Sequence, residues 1–275
     1  MTRFDLEPHR HDPRRLDLLR IADTALDAVD PEAAIIRSVV REGDTLRVGE
    51  HAIDLSGFER AVVLGFGKAS VPMGRAALTV LDGLPVTGVL VSNAPEPVVH
   101  LEVIAGSHPV PDGRSLAGGL RILEAARAAG PKDIVVVLIS GGGSALLANP
   151  AVGLTLSDLQ DTNTLLLRSG ADIGELNTVR KHLSAVKGGR LGEALGGAGA
   201  VVTLILSDVI GNPLEVIASG PTVPDQTTFA DALAVLDRYE QRNRVATGVR
   251  AHLEAGEAGD RDETPSHGAV FDRQV

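Results

Sequence analysis

The chain has 275 residues, enough for one large domain with an appendage, and its 44% of hydrophobic residues is typical of a globular protein. The formal net charge of −10 and the 2% of aromatic residues argue against binding to nucleic acids or to anionic membranes. Cysteine is missing, which excludes thiolate metal sites, and the absence of a long apolar run or an N-terminal leader predicts a cytoplasmic protein.

The N-terminal segment is predicted to hold two helices within residues 14–41, followed by short extended pieces at 45–48 and 51–55. From residue 60 onward, buried-type apolar runs alternate with helical patterns. The strands are predicted at 60–64, 88–91, 101–105, 133–139 and 201–206, and the helices at 69–81, 114–129, 155–169, 172–186 and 229–255. This alternation predicts an α/β fold, a Rossmann-like and mostly parallel sheet with helices on both faces.

Four polar or glycine-rich segments directly follow predicted strands, namely GFGKAS, SHPVPD, SGGGS and SDVIGN. Ligands of parallel sheets bind at the carboxyl ends of the strands. The repeated placement of these segments therefore predicts one site to which all four contribute.

The first segment presents Gly67 and Lys68 beside the start of a helix, where anions are favoured. It fails the dinucleotide fingerprint, because Ser70 replaces the third glycine and no acidic residue ends the next strand, and it also fails the Walker A pattern. Lysine is rare in this chain, which favours a functional lysine over a solvated one. The four lysines are Lys68, Lys132, Lys181 and Lys187.

The SGGGS segment and a later cationic helix are candidates for binding phosphate or substrate. Glycine lets backbone N–H groups converge on an anion, although a hinge or close packing would also explain three consecutive glycines. The helix within 172–186 is predicted to carry polar and cationic side chains on one face, unless its cations serve only the helix dipole. The candidate residues are Ser140, Gly141, Gly142, Gly143, Ser144, Asn177, Arg180, Lys181, Ser184 and Lys187.

The SDVIGN segment places Ser207 and Asp208 directly after a strand. Asp208 is a candidate general base or metal-binding carboxylate, with a turn cap as the alternative. A lone histidine at a turn is more often structural, and we expect this of His108. His9 and His11 show no partner for a metal site.

Taken in order, GFGKAS, SHPVPDGRS, LISGGGSALL, LNTVRKHLSAVKGGRL and LSDVIGNPLEVIASGPTVPD resemble the N-terminal domain of glycerate kinases that carry a C-terminal MOFRL domain. Members of this family are also called hydroxypyruvate reductases. The resemblance covers about residues 14–255. It implies phosphorylation of D-glycerate to 2-phosphoglycerate by ATP with Mg²⁺ or another divalent cation, in a cleft between the two domains.

The resemblance also implies roles for individual residues. Lys68 would contact reacting phosphate or glycerate oxygens, Asp208 would be the base or the Mg²⁺ partner, and the SGGGS loop and the cations of the 177–187 segment would bind phosphate or substrate. One departure is Asn212, where the family commonly has aspartate; asparagine keeps the shape and loses a charge, which either weakens a metal contact or has no consequence.

The second departure from the family is length. Residues 1–255 match the N-terminal domain, and residues 256–275 are glycine-rich, charged and without periodicity, which predicts a linker or truncated tail without a MOFRL domain. We therefore expect an incomplete cleft, completed by a separate chain, and a homodimer is a further expectation. The alternatives are a hydroxypyruvate reductase-type oxidoreductase and a non-catalytic module that binds a sugar acid or a nucleotide.

Overall fold

A computed structural model describes residues 4–275, and the N-terminal part forms a small unit of two helices and three strands. Helices α1 (Pro13–Ala28) and α2 (Pro31–Ser38) are each capped by the aspartate that precedes them. Strands β1 (Val39–Glu42), β2 (Thr45–Val48) and β3 (His51–Asp54) form an antiparallel sheet. The predicted second helix is thus too long, because its β-branched end pairs with β2 as a strand.

The main sheet has five parallel strands. These are β4 (Arg60–Phe66), β5 (Val86–Ser92), β6 (Glu102–Ala105), β7 (Asp133–Ser140) and β8 (Ala200–Leu206). Their spatial order is β6-β5-β4-β7-β8, and all neighbouring pairs are parallel. The chain adds strands to one side of β4 and then continues on its other side with β7. The carboxyl ends of β4 and β7 are therefore the topological switch point, where such sheets bind ligands.

Helices cover both faces of the sheet and form a separate layer beside it. They are α3 (Ser70–Val80), α4 (Gly113–Arg127), α5 (Gly143–Leu146), α6 (Leu156–Ser169), α7 (Ile173–His182), α8 (Arg190–Ala194), α9 (Phe229–Arg238), α10 (Thr247–Glu257) and α11 (Ala269–Asp272). Along β4, Val62 and Leu64 pack in the cluster that contains α4 and α8, whereas Val63 packs in the cluster of α3. The predicted fold class is confirmed.

Two predicted helices end earlier than their apolar patterns suggest. Helix α7 ends at His182, because the following backbone pairs with a distant segment: Leu183 O accepts from Ala151 N and Ala185 N donates to Asn149 O, both at 2.9 Å. The predicted helix at 229–255 is two helices, α9 and α10. The first ends where Glu240 adopts a φ of +56°. No glycine or proline marks that break in the sequence.

The tail beyond α10 packs against the rest of the chain. Thr264 is buried, and Pro265 O accepts a hydrogen bond of 2.9 Å from Asp225 N. At the sheet edge, Val275 exchanges hydrogen bonds of 3.0 and 2.8 Å with the backbone of Val201 and Thr203 in β8. The tail therefore packs against the rest of the chain, while its assignment as a linker and the division into domains stay predictions. Within residues 4–275, no helix combines the length and the hydropathy that a bilayer crossing needs.

Candidate functional site

The turn after β4 and the glycine loop after β7 lie side by side, because their strands are neighbours. Lys68 N donates to Gly141 O at 2.9 Å, and Ala69 N donates to the Ser140 hydroxyl at 3.0 Å. Gly67 has a φ of +129°, and a Cβ on it would lie 2.2 Å from Ser140 Oγ. Gly67 is therefore a packing glycine that lets the two loops meet, and Ser140 uses its hydroxyl to join them.

The consecutive glycines leave room for side chains from other strand ends. A Cβ on Gly141 would lie 2.6 Å from Asp208 Oδ2. A Cβ on Gly142, whose φ is +83°, would lie 2.9 Å from His108 Cδ2 and 3.3 Å from Lys68 Cε. A lysine, a histidine and an aspartate thus surround the glycine loop, as expected from the strand-end positions of their segments.

His108 lies between a cation and an anion at this loop. Desolvation and the nearby Lys68 lower the pKa of His108, whereas Asp208 opposes this shift. The imidazole is therefore neutral near pH 7 and able to accept a proton or a hydrogen bond. The sequence placed the SHPVPD segment at the site but did not single out His108, because a lone histidine at a turn is more often structural.

A cavity of about 350 Å³ opens beside these residues and extends between α6, α7 and the loop at 216–218. Its mouth is formed by the glycine loop together with His108 and Asp208. The interior is lined mainly by the aliphatic side chains of Leu159, Leu166, Val179 and Leu183, whereas Ile173 borders the cavity as an exposed side chain. The cavity therefore has a polar mouth and an apolar interior.

Lys187 lies in the cavity wall and holds the segment around α5. Its Nζ donates to the carbonyl oxygens of Ser144 at 2.9 Å and Leu147 at 2.7 Å, and the residue is only 4% exposed. Burial, together with the nearby Arg180, lowers the pKa of Lys187 to about 7. Both hydrogen bonds of this amine go to backbone carbonyls, so Lys187 positions α5, the short helix at the end of the glycine loop.

A polar network connects Ser144 to α7. The Ser144 and Ser219 hydroxyls are 3.0 Å apart, and Ser219 Oγ donates to Asn177 Oδ1 at 2.9 Å. Arg180 Nε donates to Asn163 Oδ1 at 2.7 Å, and burial lowers the pKa of Arg180 to about 10, so the side chain stays cationic at neutral pH. Asn177, Arg180 and Ser144 all line the cavity, as predicted for a common site.

Lys181 and Ser207 are not brought to the cavity wall. Lys181 Nζ forms a buried ion pair of 3.0 Å with Asp225 Oδ1, away from Arg180. Adjacent residues of an α-helix point in directions about 100° apart, which corrects the expectation that these two cations share one face. Ser207 Oγ accepts from Val209 N at 3.1 Å and so stabilises the loop that carries Asp208. Ser184 bonds to the backbone of Asn149.

The comparisons with known proteins agree with this geometry. A family model described as "Domain of unknown function (DUF4147)" matches residues 17–254. The chain belongs to this family. A glycerate 2-kinase of Pyrococcus horikoshii is 42% identical over 246 residues, which cover 90% of this chain and 55% of the relative.

Two further relatives extend the comparison of this DUF4147 protein. A protein of Agrobacterium vitis, provisionally named a hydroxypyruvate reductase, is 41% identical over 255 residues, covering 92% of this chain and 53% of the relative. The crystal structure of a glycerate kinase from Thermotoga maritima superposes with a TM-score of 0.77 at 35% identity, covering 93% of this chain and 56% of the other. The predicted resemblance is confirmed, and the chain spans about half the length of the curated relatives it matches.

Few of the described side chains of this DUF4147 protein could bind a metal ion without further ligands from a substrate. Across residues 4–275, no three or more histidine and carboxylate side chains gather in a metal-binding group. At the surface, His11 Nε2 accepts a hydrogen bond of 3.0 Å from Arg10 Nε. Asp208 is a single exposed carboxylate at the cavity mouth. One carboxylate fits Mg²⁺ that is held mainly by substrate phosphates and water.

Several cavity residues were not singled out from the sequence. They come from α6 and from the loop that precedes α9: Gln160, Thr162, Asn163, Val216, Ile217 and Ala218. The sequence patterns of α6 and α7 predict amphipathic helices and nothing more. No local feature of α6 indicates that its polar residues face a cavity. The SGPT sequence at residues 219–222 indicates a tight turn and could have identified this loop. In the structure, Ala218 and Ser219 adopt φ values of +51° and +65°.

Proposed function

We propose that this protein takes part in transferring the γ-phosphoryl group of ATP to the 2-hydroxyl of D-glycerate, as the Rossmann-like part of a glycerate 2-kinase. The observation that carries the proposal is the meeting of Lys68, His108 and Asp208 around the glycines of the SGGGS loop. Phosphoryl transfer needs cations and backbone donors around developing charge more than it needs covalent chemistry from the protein. The names of two relatives, a glycerate 2-kinase of Pyrococcus horikoshii and a D-glycerate 2-kinase of Thermotoga maritima, support the same reaction.

In the proposed reaction the glycerate hydroxyl oxygen attacks the γ-phosphorus and forms the new O–P bond. The bond from that phosphorus to the bridging oxygen breaks, and ADP leaves with the electron pair. The hydroxyl proton passes to the Asp208 carboxylate. Lys68 and the N–H groups of the glycine loop stabilise charge on the transferring phosphoryl oxygens. His108, neutral at pH 7, orients the attacking group.

Mg²⁺ would be held at the mouth mainly by the phosphates of the nucleotide and by water, beside the Asp208 carboxylate. When bound, it neutralises phosphate charge and aligns the β- and γ-phosphates. The protein's own contribution there is one carboxylate, placed beside Gly141 by the turn after β8.

We further propose that residues 1–255 are one half of an interdomain cleft in the cytoplasm. A MOFRL-type domain, within one polypeptide or on a separate chain, would close the mouth. The exposed positions of Lys68 and Asp208 leave both side chains available to such a domain. Exclusion of water by closure is a general requirement of phosphoryl transfer over hydrolysis.

Ligand binding tests the proposal without depending on closure. We expect calorimetric titration of the purified chain to show binding of ATP with Mg²⁺, and a coupled assay with ATP and D-glycerate to release 2-phosphoglycerate when the closing domain is supplied. A chain that binds neither ATP nor D-glycerate contradicts the proposal. Oxidation of NADH by hydroxypyruvate in the absence of any nucleoside triphosphate would establish the reductase alternative instead.

A further inference from the structure

The cavity beside the glycine loop offers two different environments. At its mouth lie backbone N–H groups and the side chains of His108 and Asp208, with Lys68 beside them. Its interior, between α6 and α7, is bordered by leucine and valine side chains. A ligand that fills the whole cavity therefore needs an anionic end and a flat or apolar end.

We infer that the interior between α6 and α7 receives the purine base of the nucleotide, with the phosphates and glycerate at the mouth. This inference rests on the proposed function and deepens it. Glycerate carries a polar group on each of its carbon atoms and has no apolar surface that an aliphatic wall could bury. A purine ring is flat, and pockets for such ligands are mostly apolar with a few placed polar groups. The base is therefore the part that matches the interior.

One side chain of the interior wall is left without a hydrogen bond. Thr162 is 2% exposed, and its Oγ1 is buried without a partner among residues 4–275. Other hydroxyls in the same or the next helix bond to the carbonyl four residues earlier: Thr164 to Gln160 O at 2.8 Å, and Thr178 to Gly174 O at 3.0 Å. Thr162 departs from this pattern, although the same kind of acceptor precedes it.

An unpaired buried hydroxyl costs free energy unless a ligand or water pairs with it. A threonine hydroxyl can donate and accept, so it suits both the ring nitrogens and the exocyclic amino group of a purine. Arg180 lines the same cavity between the interior and the glycine loop. Its guanidinium keeps N–H donors beyond its bonds to Asn163 and Asn177, and such donors suit phosphate oxygens.

The variant Thr162→Val tests the inference, because valine keeps the shape of threonine and removes only the hydroxyl. We expect it to weaken binding of adenosine and of ATP by about tenfold, roughly 1.4 kcal/mol, as measured by calorimetry. Binding of inorganic tripolyphosphate and of D-glycerate should stay unchanged. The control is Thr178→Val, whose hydroxyl is satisfied inside its own helix and is not part of the cavity wall, so adenosine affinity should be retained.

A second measurement works even where the Thr162 variant is poorly folded. The chain has no tryptophan, and Ile173 is 57% exposed at the cavity, so Ile173→Trp introduces a single indole reporter there. We expect adenosine alone to change its fluorescence. Unaltered fluorescence, unaltered adenosine affinity in Thr162→Val, or a loss of glycerate affinity in that variant would each overturn the assignment of the interior to the base.

The outcomes also separate this inference from the proposed function. If ATP and tripolyphosphate bind while adenosine shows no binding in the interior, the kinase proposal stands and the base lies elsewhere. If the chain binds neither ATP nor D-glycerate, the kinase proposal itself fails, and the inference fails with it.

Discussion

The backbone N–H of Lys68 donates to the carbonyl oxygen of Gly141 at 2.9 Å and joins the lysine turn after β4 to the glycine loop after β7. The two loops stand at the switch point of the sheet, and the adjacent hydrogen bond from Ala69 N to Ser140 Oγ fixes their relative position. Hydrogen bonds thus fix the backbone of Lys68 and of the next residue. A fixed backbone favours a defined contact between the lysine side chain and an anion.

We expect Lys68→Met to weaken binding of tripolyphosphate and ATP by at least about tenfold, because a charge-assisted hydrogen bond contributes about 1.5–3 kcal/mol. Lys132→Met is the matched control, since Lys132 is an exposed lysine that pairs with Glu59 just before the amino end of β7. Calorimetric titration of both variants measures the effect. Equal affinities of the two variants would contradict a phosphate-binding role for Lys68.

The glycine loop allows a similarly matched comparison. Gly142 and Gly170 have nearly equal φ values of +83° and +81°, but a Cβ on Gly142 would press on His108 and Lys68, whereas a Cβ on Gly170 meets nothing within 4 Å. Alanine at either position costs about 1 kcal/mol of stability through backbone strain. We expect only Gly142→Ala to abolish binding of ATP as well.

Thermal melting and calorimetry together check this prediction. The two variants should melt at similar temperatures and differ in affinity. Retained ATP affinity in Gly142→Ala would assign the glycines of this loop to packing alone, as Gly67 already is by its contact with Ser140.

The sequence was most informative about the sheet. Strands β4 and β7 are buried on both faces, so their apolar runs are continuous, and a polar segment at the carboxyl end of each marks where burial stops. The partly exposed edge strand β8 is also mainly apolar and also ends at a polar segment. Parallel pairing then brings those ends to one edge, which is why Gly67, Gly141 and Asp208 could be expected together before any coordinates were known.

The end of α7 and the positions of its cations depend on contacts between residues distant in the sequence, which local sequence patterns do not indicate. The cationic segment was expected to be one helix, but pairing of residues 149–151 with 183–185 ends α7 early. Lys187 therefore reaches the cavity from a loop, and Lys181 turns to Asp225 because the tail and the loop before α9 bury both. Such partners are distant in sequence, so residue type and spacing did not reveal them.

The shifted pKa of Lys187 predicts a specific dependence of stability on pH. In the unfolded chain this lysine titrates near its ordinary value of 10.5, and in the folded protein its pKa is about 7. Between these values the unfolded state binds one more proton, so the free energy of unfolding rises with pH, by up to about 1.4 kcal/mol per unit. Below pH 7 the amine is charged in both states, and the burial penalty is fully present.

Lys187→Met should remove this rise. Urea denaturation of the wild type and the variant at pH 7, 8 and 9 measures it, and the difference between the two proteins isolates Lys187 from other groups that titrate there. The free energy of unfolding should increase with pH more steeply in the wild type. Parallel curves would show that the buried amine stays charged, held by Ser144 O and Leu147 O.

The ion pair between Lys181 and Asp225 predicts a defect in stability, with ligand affinity unaffected. Lys181→Met leaves the Asp225 carboxylate buried without its cation, and breaking a buried pair from one side costs about 3–5 kcal/mol. Adding Asp225→Asn removes the uncompensated charge and can keep the acceptor for Thr227 N and Oγ1, so the double variant should recover much of the loss. Denaturant unfolding measures both, and calorimetry on the folded variants should give wild-type ATP affinity. A stable Lys181→Met protein that no longer binds ATP would instead return Lys181 to the ligand site, as the sequence first suggested.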